Sequence, residues 1–374
     1  MKEKFEMKEA AFNTHNITQL ADNILAVDPE FNKQAFLNSI LPHLHSLELK
    51  ERSNLIEETL ITTLPDQYER AVSILLDALP LEIADQEVTG YEGFILMPQT
   101  GFVAKCGMNH FELSMEVLYE MTKRFTAEFH IRYFIEAHYE KTMAQLKVWS
   151  SDTNVHVRRL VSEGTRPRLP WAFVLKEFVS NPQPVIKLLE LLKDDPELYV
   201  RRSVANNLND ISKDHPQIVT QTLKAWQNGS KEMAWLTKHA LRTLLKKGDP
   251  EALALLGFKK SEKLEVSLKL DQSTIILGES LLLEVNITSN ETEVLPMMID
   301  YVVHYQKANG TLSPKVFKLS SKTMQAGANI TLNKKQKIAD FSTRKHYAGE
   351  HKVSLLINGQ PYEEQSFTLL ISDR

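Results

Sequence analysis

Cysteine is nearly absent from this chain: Cys106 is the single one in 374 residues. One thiol closes no intramolecular disulfide and builds no multi-cysteine metal site, so a reducing cytoplasm is the compartment that fits. Alone, it reads as a small core residue rather than a nucleophile. No window approaches the roughly 18 apolar residues of a membrane span. The first residues, MKEKFEMKEAAF, interleave charges where a secretory signal would hold an unbroken apolar run. A soluble intracellular protein is therefore expected. The chain lacks a GxxxxGK(S/T) phosphate loop, an HExxH zinc motif and a GxSxG nucleophile elbow. Its histidines, among them His43, His45, His130, His138, His156 and His215, are scattered without metal-ligand spacing, so no metal is expected.

The charges that are present are unevenly spread. Residues 1–120 hold 8 Lys and Arg against 20 Asp and Glu, whereas residues 121–247 hold 21 against 13. Residues 248–374 balance at 15 of each. The total of −4 argues against a polyanionic partner, but binding follows the local field, and the middle segment is basic.

Residues 1–258 read as helix after helix. Apolar residues recur at three- and four-residue spacing in Ile17, Leu20, Ala21, Ile24 and Leu25, in Phe36, Ile40 and Leu44, and in Ala71, Ile74, Leu75 and Leu79. Breaks fall at Asp28-Pro29, Leu64-Pro65-Asp66 and Leu79-Pro80. The stretch Asp85–Gly107, with Gly90, Gly93, Pro98 and Gly101, reads as a long connection or a disrupted helix pair. Farther on, Val157-Arg158-Arg159-Leu160-Val161 returns 43 residues later as Val200-Arg201-Arg202-Ser203-Val204, with a weaker third copy at Leu236-Thr237-Lys238-His239-Ala240. A period of 36–47 residues with two helices per unit is the mark of HEAT-like repeats. Asp194-Asp195-Pro196 suits a helix start. Stacked helix pairs place equivalent side chains on successive rungs of one face, so Arg158, Arg159, Arg201 and Arg202 form either a basic ladder or braces between repeats.

After Phe258 the period changes to two. Leu264, Val266, Leu268 and Leu270 alternate with Glu265, Ser267 and Lys269, and Leu281, Leu283, Val285 and Ile287 alternate with Leu282, Glu284 and Asn286. Further strands are expected at 300–306, 315–319, 330–332, 350–357 and 365–371, with hairpin turns at Asn309-Gly310 and Asn358-Gly359. About seven short strands over residues 261–374 make an immunoglobulin-like β-sandwich without a disulfide. The expected architecture is thus a HEAT-like helical solenoid, 1–258, followed by the sandwich.

Three acids stand among apolar residues in or beside the basic segment: Glu128, Glu163 and Asp210. One reading makes them caps or partners of nearby arginines. The other starts from the cost of a carboxylate in an electropositive groove, which points to chemistry or discrimination. Cleavage of an N-glycosidic bond fits, because a departing base leaves a cationic sugar that a fixed carboxylate stabilises while a water is oriented. A base that is already cationic departs without protonation. Trp171, and also Trp149, offer a stacking face for a lesion, although a tryptophan in Leu-Pro-Trp-Ala is more often core.

The run Arg158-Arg159-Leu160-Val161-Ser162-Glu163-Gly164-Thr165-Arg166-Pro167-Arg168-Leu169-Pro170-Trp171, with Tyr199-Val200-Arg201-Arg202-Ser203-Val204-Ala205-Asn206-Asn207-Leu208-Asn209-Asp210, closely resembles the AlkC branch of the AlkC/AlkD alkylation-repair DNA glycosylases. The resemblance implies a monofunctional enzyme that wraps double-stranded DNA and excises 3-methyladenine and 3-methylcytosine. It implies no cofactor; a monomer is expected. It also implies Asp210, Glu163 and Glu128 as active-site acids, with Asp210 toward the sugar cation, and Trp171 in the lesion cleft. Arg158, Arg159, Arg166, Arg168, Arg201, Arg202, Asn206 and Asn207 would then face DNA. Tyr133-Phe134 departs from the proline-phenylalanine expected after Ile131-Arg132. The competing reading is a non-catalytic HEAT-repeat scaffold for nucleic acid or protein, whose motifs are repeat consensus only. Lys315, Lys318, Lys322, Lys334, Lys335, Lys337, Arg344 and Lys345 make a basic cluster on the sandwich that serves either DNA or solvation.

Overall fold

The computed structural model describes residues 6–83, 90–341 and 345–371. Helices occupy the chain up to Leu255 and strands follow from Leu264, so the change of hydrophobic period marks the change of structure. Two compact units result: Met1–Asp214 with Asn228–Ala240, and His215–Gln227 with Leu241–Arg374. The second unit therefore includes the helices Pro216–Trp226, Arg242–Lys247 and Pro250–Leu255 along with the sandwich.

In the first unit the apolar stripes are buried as their spacing requires: Ile17, Leu20, Ala21 and Ile24 on one helix, Ala71, Ile74 and Leu75 on another. Helices Val155–Gly164, Leu198–Ile211 and Lys231–Ala240 carry the three copies of the repeated motif, and each packs on the next. Val157, Val200 and Leu236, at equivalent positions, are all fully buried. The first of these helices begins at Asn154, whose Oδ1 accepts from the amides of His156 and Val157. The second begins later than its Asp-Asp-Pro signal implies. Its N-cap is Glu197, without a side-chain cap, and Asp195 instead accepts from the Glu197 amide within the preceding turn.

Of the stretch expected to be a long connection or a disrupted helix pair, Tyr91–Leu96 is a 3-10 helix and residues 97–106 continue from it as regular helix. They form one α-helix, Met97–Cys106, with Pro98 in the first turn, where a missing amide costs no helical bond. Gly101 is there for space rather than for a turn. A Cβ at that position would stand 2.0 Å from Glu57 Oε2. Residues 84–89 of the same stretch, and Arg344 of the basic cluster, lie outside the described residues.

In the second unit a sheet of order β1-β3-β6 faces one of order β2-β8-β7-β4-β5. The strands are β1 Leu264–Leu270, β2 Thr274–Ile276, β3 Ser280–Ser289, β4 Leu295–Gln306, β5 Leu312–Met324, β6 Asn329–Lys337, β7 Gly349–Ile357 and β8 Gln360–Leu370. All pairs are antiparallel except β2 with β8. Leu281, Leu283, Val285 and Ile287 fill the core together with Met297, Ile299, Tyr301, Val353, Leu355 and Phe367. Asn309-Gly310 and Asn358-Gly359 turn the β4–β5 and β7–β8 hairpins, the latter with both residues at positive φ. Asn358 Nδ2 donates to the carbonyl of Lys259, and Tyr362 Oη donates to that of Ser261, fastening the chain leaving the helices to this hairpin. Lys315, Lys318 and Lys322 lie on edge strand β5, with Lys334, Lys335 and Lys337 on edge strand β6. Charges there oppose edge-to-edge pairing with other chains.

Candidate active site

A buried arginine builds the site from beneath. Arg132 has no exposed surface and lies in helix Ile131–Ala137 among Ile131, Phe134 and Ile135. Its guanidinium donates to the carbonyls of Gly164 (3.0 Å), Arg166 (2.6 Å) and Phe173 (2.5 Å). Those carbonyls belong to the last residue of helix Val155–Gly164 and to the loop that follows it, which the amide of Leu175 closes onto the carbonyl of Pro167 at 3.1 Å. Burial, and then the charge of Arg166, lower the Arg132 pKa to about 10, which still leaves it charged at neutral pH. Sequence reading missed this residue. Its signal was a lone arginine inside an otherwise apolar helix start.

On this pinned loop and its neighbours stands a row of alternating charges. Thr126 Oγ1 and Arg159 Nη1 both donate to Glu128 Oε2, at 2.8 Å each. Arg159 also lies 3.8 Å from Glu163 Oε1, which accepts from Arg166 Nη1 at 2.5 Å. Arg166 Nε reaches on to Asp210 Oδ2 at 2.7 Å, and Lys213 Nζ pairs with the other Asp210 oxygen at 2.7 Å. Ser203 Oγ donates to the second oxygen of Glu163 at 2.5 Å. The three sequence-predicted acids thus belong to one connected site. Glu163 and Asp210 share a single guanidinium.

Its electrostatics follow from burial and from helix ends. Glu163 and Asp210 are each the next-to-last residue of a helix, where the partial negative charge of the C-terminus adds to their own. Glu128 lies instead in the turn before helix Ile131–Ala137, not on a repeat helix. Burial pushes the Glu163 carboxyl up, but the charges of Arg159 and Arg166 and the Ser203 hydroxyl outweigh it and hold the group below its ordinary value. Burial acts on Arg159 in the opposite sense, and Glu128 and Glu163 more than reverse it, so that guanidinium titrates higher than usual. Arg166 is raised in the same way by Glu163 and Asp210. With all three acids less than a tenth exposed, their field on a neighbouring charge is little screened by water.

The remaining predicted residues divide. Arg158 pairs through both ends of its guanidinium with Asp195 and donates to the carbonyls of Asp152 and Thr153. Arg201, its counterpart 43 residues on, donates to the carbonyls of Asp195 and Pro196. In both repeats the arginine reaches back six and five residues, so these two bracket turns rather than extend a free ladder. Arg202 is exposed. Arg168 forms a two-point pair with Asp214 at 2.9 Å. Asn207 is fully buried and ties two helices through the Ser162 carbonyl and the Thr165 hydroxyl, so it does not face DNA. Asn206 Oδ1 lies 3.1 Å from His239 Nε2. Trp149 is core, against Tyr119. Trp171 is 49% exposed, at φ +69°, and its carbonyl is held by Lys50 Nζ at 2.8 Å. Among the described residues no group of three or more His, Cys, Asp and Glu is placed to hold a metal ion, and no helix is long and apolar enough to cross a membrane.

Residues 265–371 match the family described as "Uncharacterised protein YhaZ, C-terminal Ig-like domain". A relative from Bacillus subtilis (strain 168), "Uncharacterized protein YhaZ", is 39% identical over 364 residues, 97% of this chain and 99% of that protein. The solved structure of the Pseudomonas fluorescens alkylpurine DNA glycosylase AlkC, bound to DNA containing an abasic site analog, is 35% identical. It superposes with a TM-score of 0.91, covering 98% of this chain and 100% of that one. By fold, near-complete coverage and identity, the chain belongs to the AlkC family, in the form that carries an immunoglobulin-like domain at its C-terminus.

Proposed function

We propose that this protein is a monofunctional DNA glycosylase of base excision repair that hydrolyses the N-glycosidic bond of cationic N3-alkylated bases, 3-methyladenine and 3-methylcytosine, in double-stranded DNA. The observation that carries the reading is the pairing of Glu163 and Asp210 on one guanidinium, with Glu128 linked through Arg159. A cationic base takes the electron pair of its bond to C1′ and leaves neutral, so no general acid is required. The sugar becomes an oxocarbenium-like cation. Asp210 faces that cation, and the neighbouring carboxylates orient the water that adds to C1′ and loses a proton. Preorganised, weakly screened acids favour a positive lesion over a neutral base by Coulomb attraction alone.

A duplex containing one 3-methylcytosine tests this. Incubation with the protein followed by alkali should break the strand at the lesion, and should leave a matched duplex with cytosine intact. No alkali-labile site in either would remove the reading.

The bracketing role of Arg158 and Arg201 favours the scaffold alternative for those two residues only. For DNA, the exposed Arg202 is the phosphate contact. Arg202→Ala is expected to weaken binding to any sequence and to lower the slope of log K against log salt by about one. Arg158→Ala is expected to leave that slope unchanged and to lower thermal stability instead. Equal slopes for all three proteins would make Arg202 structural as well.

A further inference from the structure

We propose that a cavity of about 350 Å³ in the helical unit, walled by Tyr133, Trp171 and Phe173, holds the free nucleobase that the reaction releases, with Glu57 and Lys105 reading its edge. The inference rests on the glycosylase reading and gives Glu57, which has no part in the row of acids, a role.

The size lies within the range of about 300–1,000 Å³ usual for small-molecule sites. Tyr133 and Trp171 are 47% and 49% exposed, large values for aromatic rings. Phe173 meets Tyr133 edge-on, with centroids 5.0 Å apart. Open aromatic faces stack planar heterocycles without regard to sequence. Trp171 holds a left-handed backbone conformation that a bulky residue rarely adopts, and Lys50 fixes it there. The loop that carries Trp171 and Phe173 also carries Arg166, and Arg132 binds the carbonyls of both Arg166 and Phe173. The cavity and the acid row are therefore joined by one pinned segment.

Glu57 gives the cavity its chemistry. Its carboxylate is buried, and Lys105 Nζ pairs with Oε1 at 2.8 Å. Burial nonetheless pushes the carboxyl above its usual range. The neighbouring helix makes room for it: Gly101 lies in mid-helix, where glycine is a poor helix former, and a Cβ there would strike the acid. An acceptor beside an ammonium donor matches the N6 amino group and N7 of 3-methyladenine, an edge that the methyl on N3 leaves open.

Equilibrium dialysis of the full-length protein with free 3-methyladenine tests the assignment. Saturable binding is expected, as is inhibition of excision by the added base. Glu57→Gln and Tyr133→Ala should each weaken both effects about tenfold, the scale of one charge-assisted hydrogen bond or one stacked ring. Affinity for abasic-site DNA and single-turnover excision should stay within about twofold, by the same measure of one lost contact remote from them. Glu57→Gln keeps the shape of the side chain and Tyr133 is exposed, so folding is not at issue for either. Absent saturable binding, or variants that bind as tightly as the wild type, would overturn the proposal. Binding without excision would keep the cavity and remove the glycosylase, whereas excision without binding would do the reverse.

Discussion

Converting Asp210 to Asn and Glu163 to Gln together is expected to lower single-turnover release of 3-methyladenine by about 10³-fold or more. Loss of a single preorganised transition-state stabiliser typically costs 10²–10³. Both changes keep the size of the side chain and remove its charge. DNA affinity is expected to move the other way, because the positive charge of Arg166 is then no longer offset by the two acids. The opposite signs matter. A purely structural role for the two acids would lower binding and release together; a fall in melting temperature is expected in either case, because Arg166 loses both its partners. Release that survives both substitutions would remove the carboxylate mechanism.

Arg166→Met is expected to destabilise the protein by about 3–5 kcal/mol at neutral pH, the range for breaking a buried ion pair from one side. The change leaves Glu163 and Asp210 nearly solvent-excluded and without the cation they share. Its pH dependence has a definite sign. In the wild type Glu163 titrates below its ordinary 4.5, so its contribution to stability is complete above that value and is lost as the pH falls through the depressed one. Without Arg166 the burial effect, the largest acting on Glu163, is opposed by Arg159 and Ser203 alone, and the carboxyl titrates higher. The deficit of the variant against the wild type should therefore shrink as the pH is lowered from 7 toward 5. Thermal melts across that interval check it. A deficit that stays constant or widens would mean that Glu163 does not depend on Arg166 for its charge.

Much of the fold was legible in the sequence because burial imposes period. The alternation from Leu281 to Ile287 marks a strand buried on one face, and the stripe from Ile17 to Ile24 marks a helix buried on one side. What escaped was short or misleadingly composed. β2 has three residues, too few for any alternation to register. The helix Met97–Cys106 was hidden by Pro98 and Gly101, which serve a helix start and a close approach to Glu57. At the site, residue type and spacing singled out Glu128, Glu163 and Asp210, and they belong to one charge row. Sequence does not show where a guanidinium points. Arg158 and Arg201 turn into backbone carbonyls, Arg166 lies between two acids, and Arg132 supports the loop from inside the core.

The central claim is that fixed negative charge selects a positively charged leaving base. Single-turnover release, each rate divided by the spontaneous loss of the same base without protein, should be measured side by side from duplexes carrying 3-methyladenine, which is cationic in DNA, and hypoxanthine, which is neutral. Fast release of the first, with the second slower by about 10³-fold or more, an energy difference of about 4 kcal/mol, is the result expected. Equal rates for the two bases would contradict it.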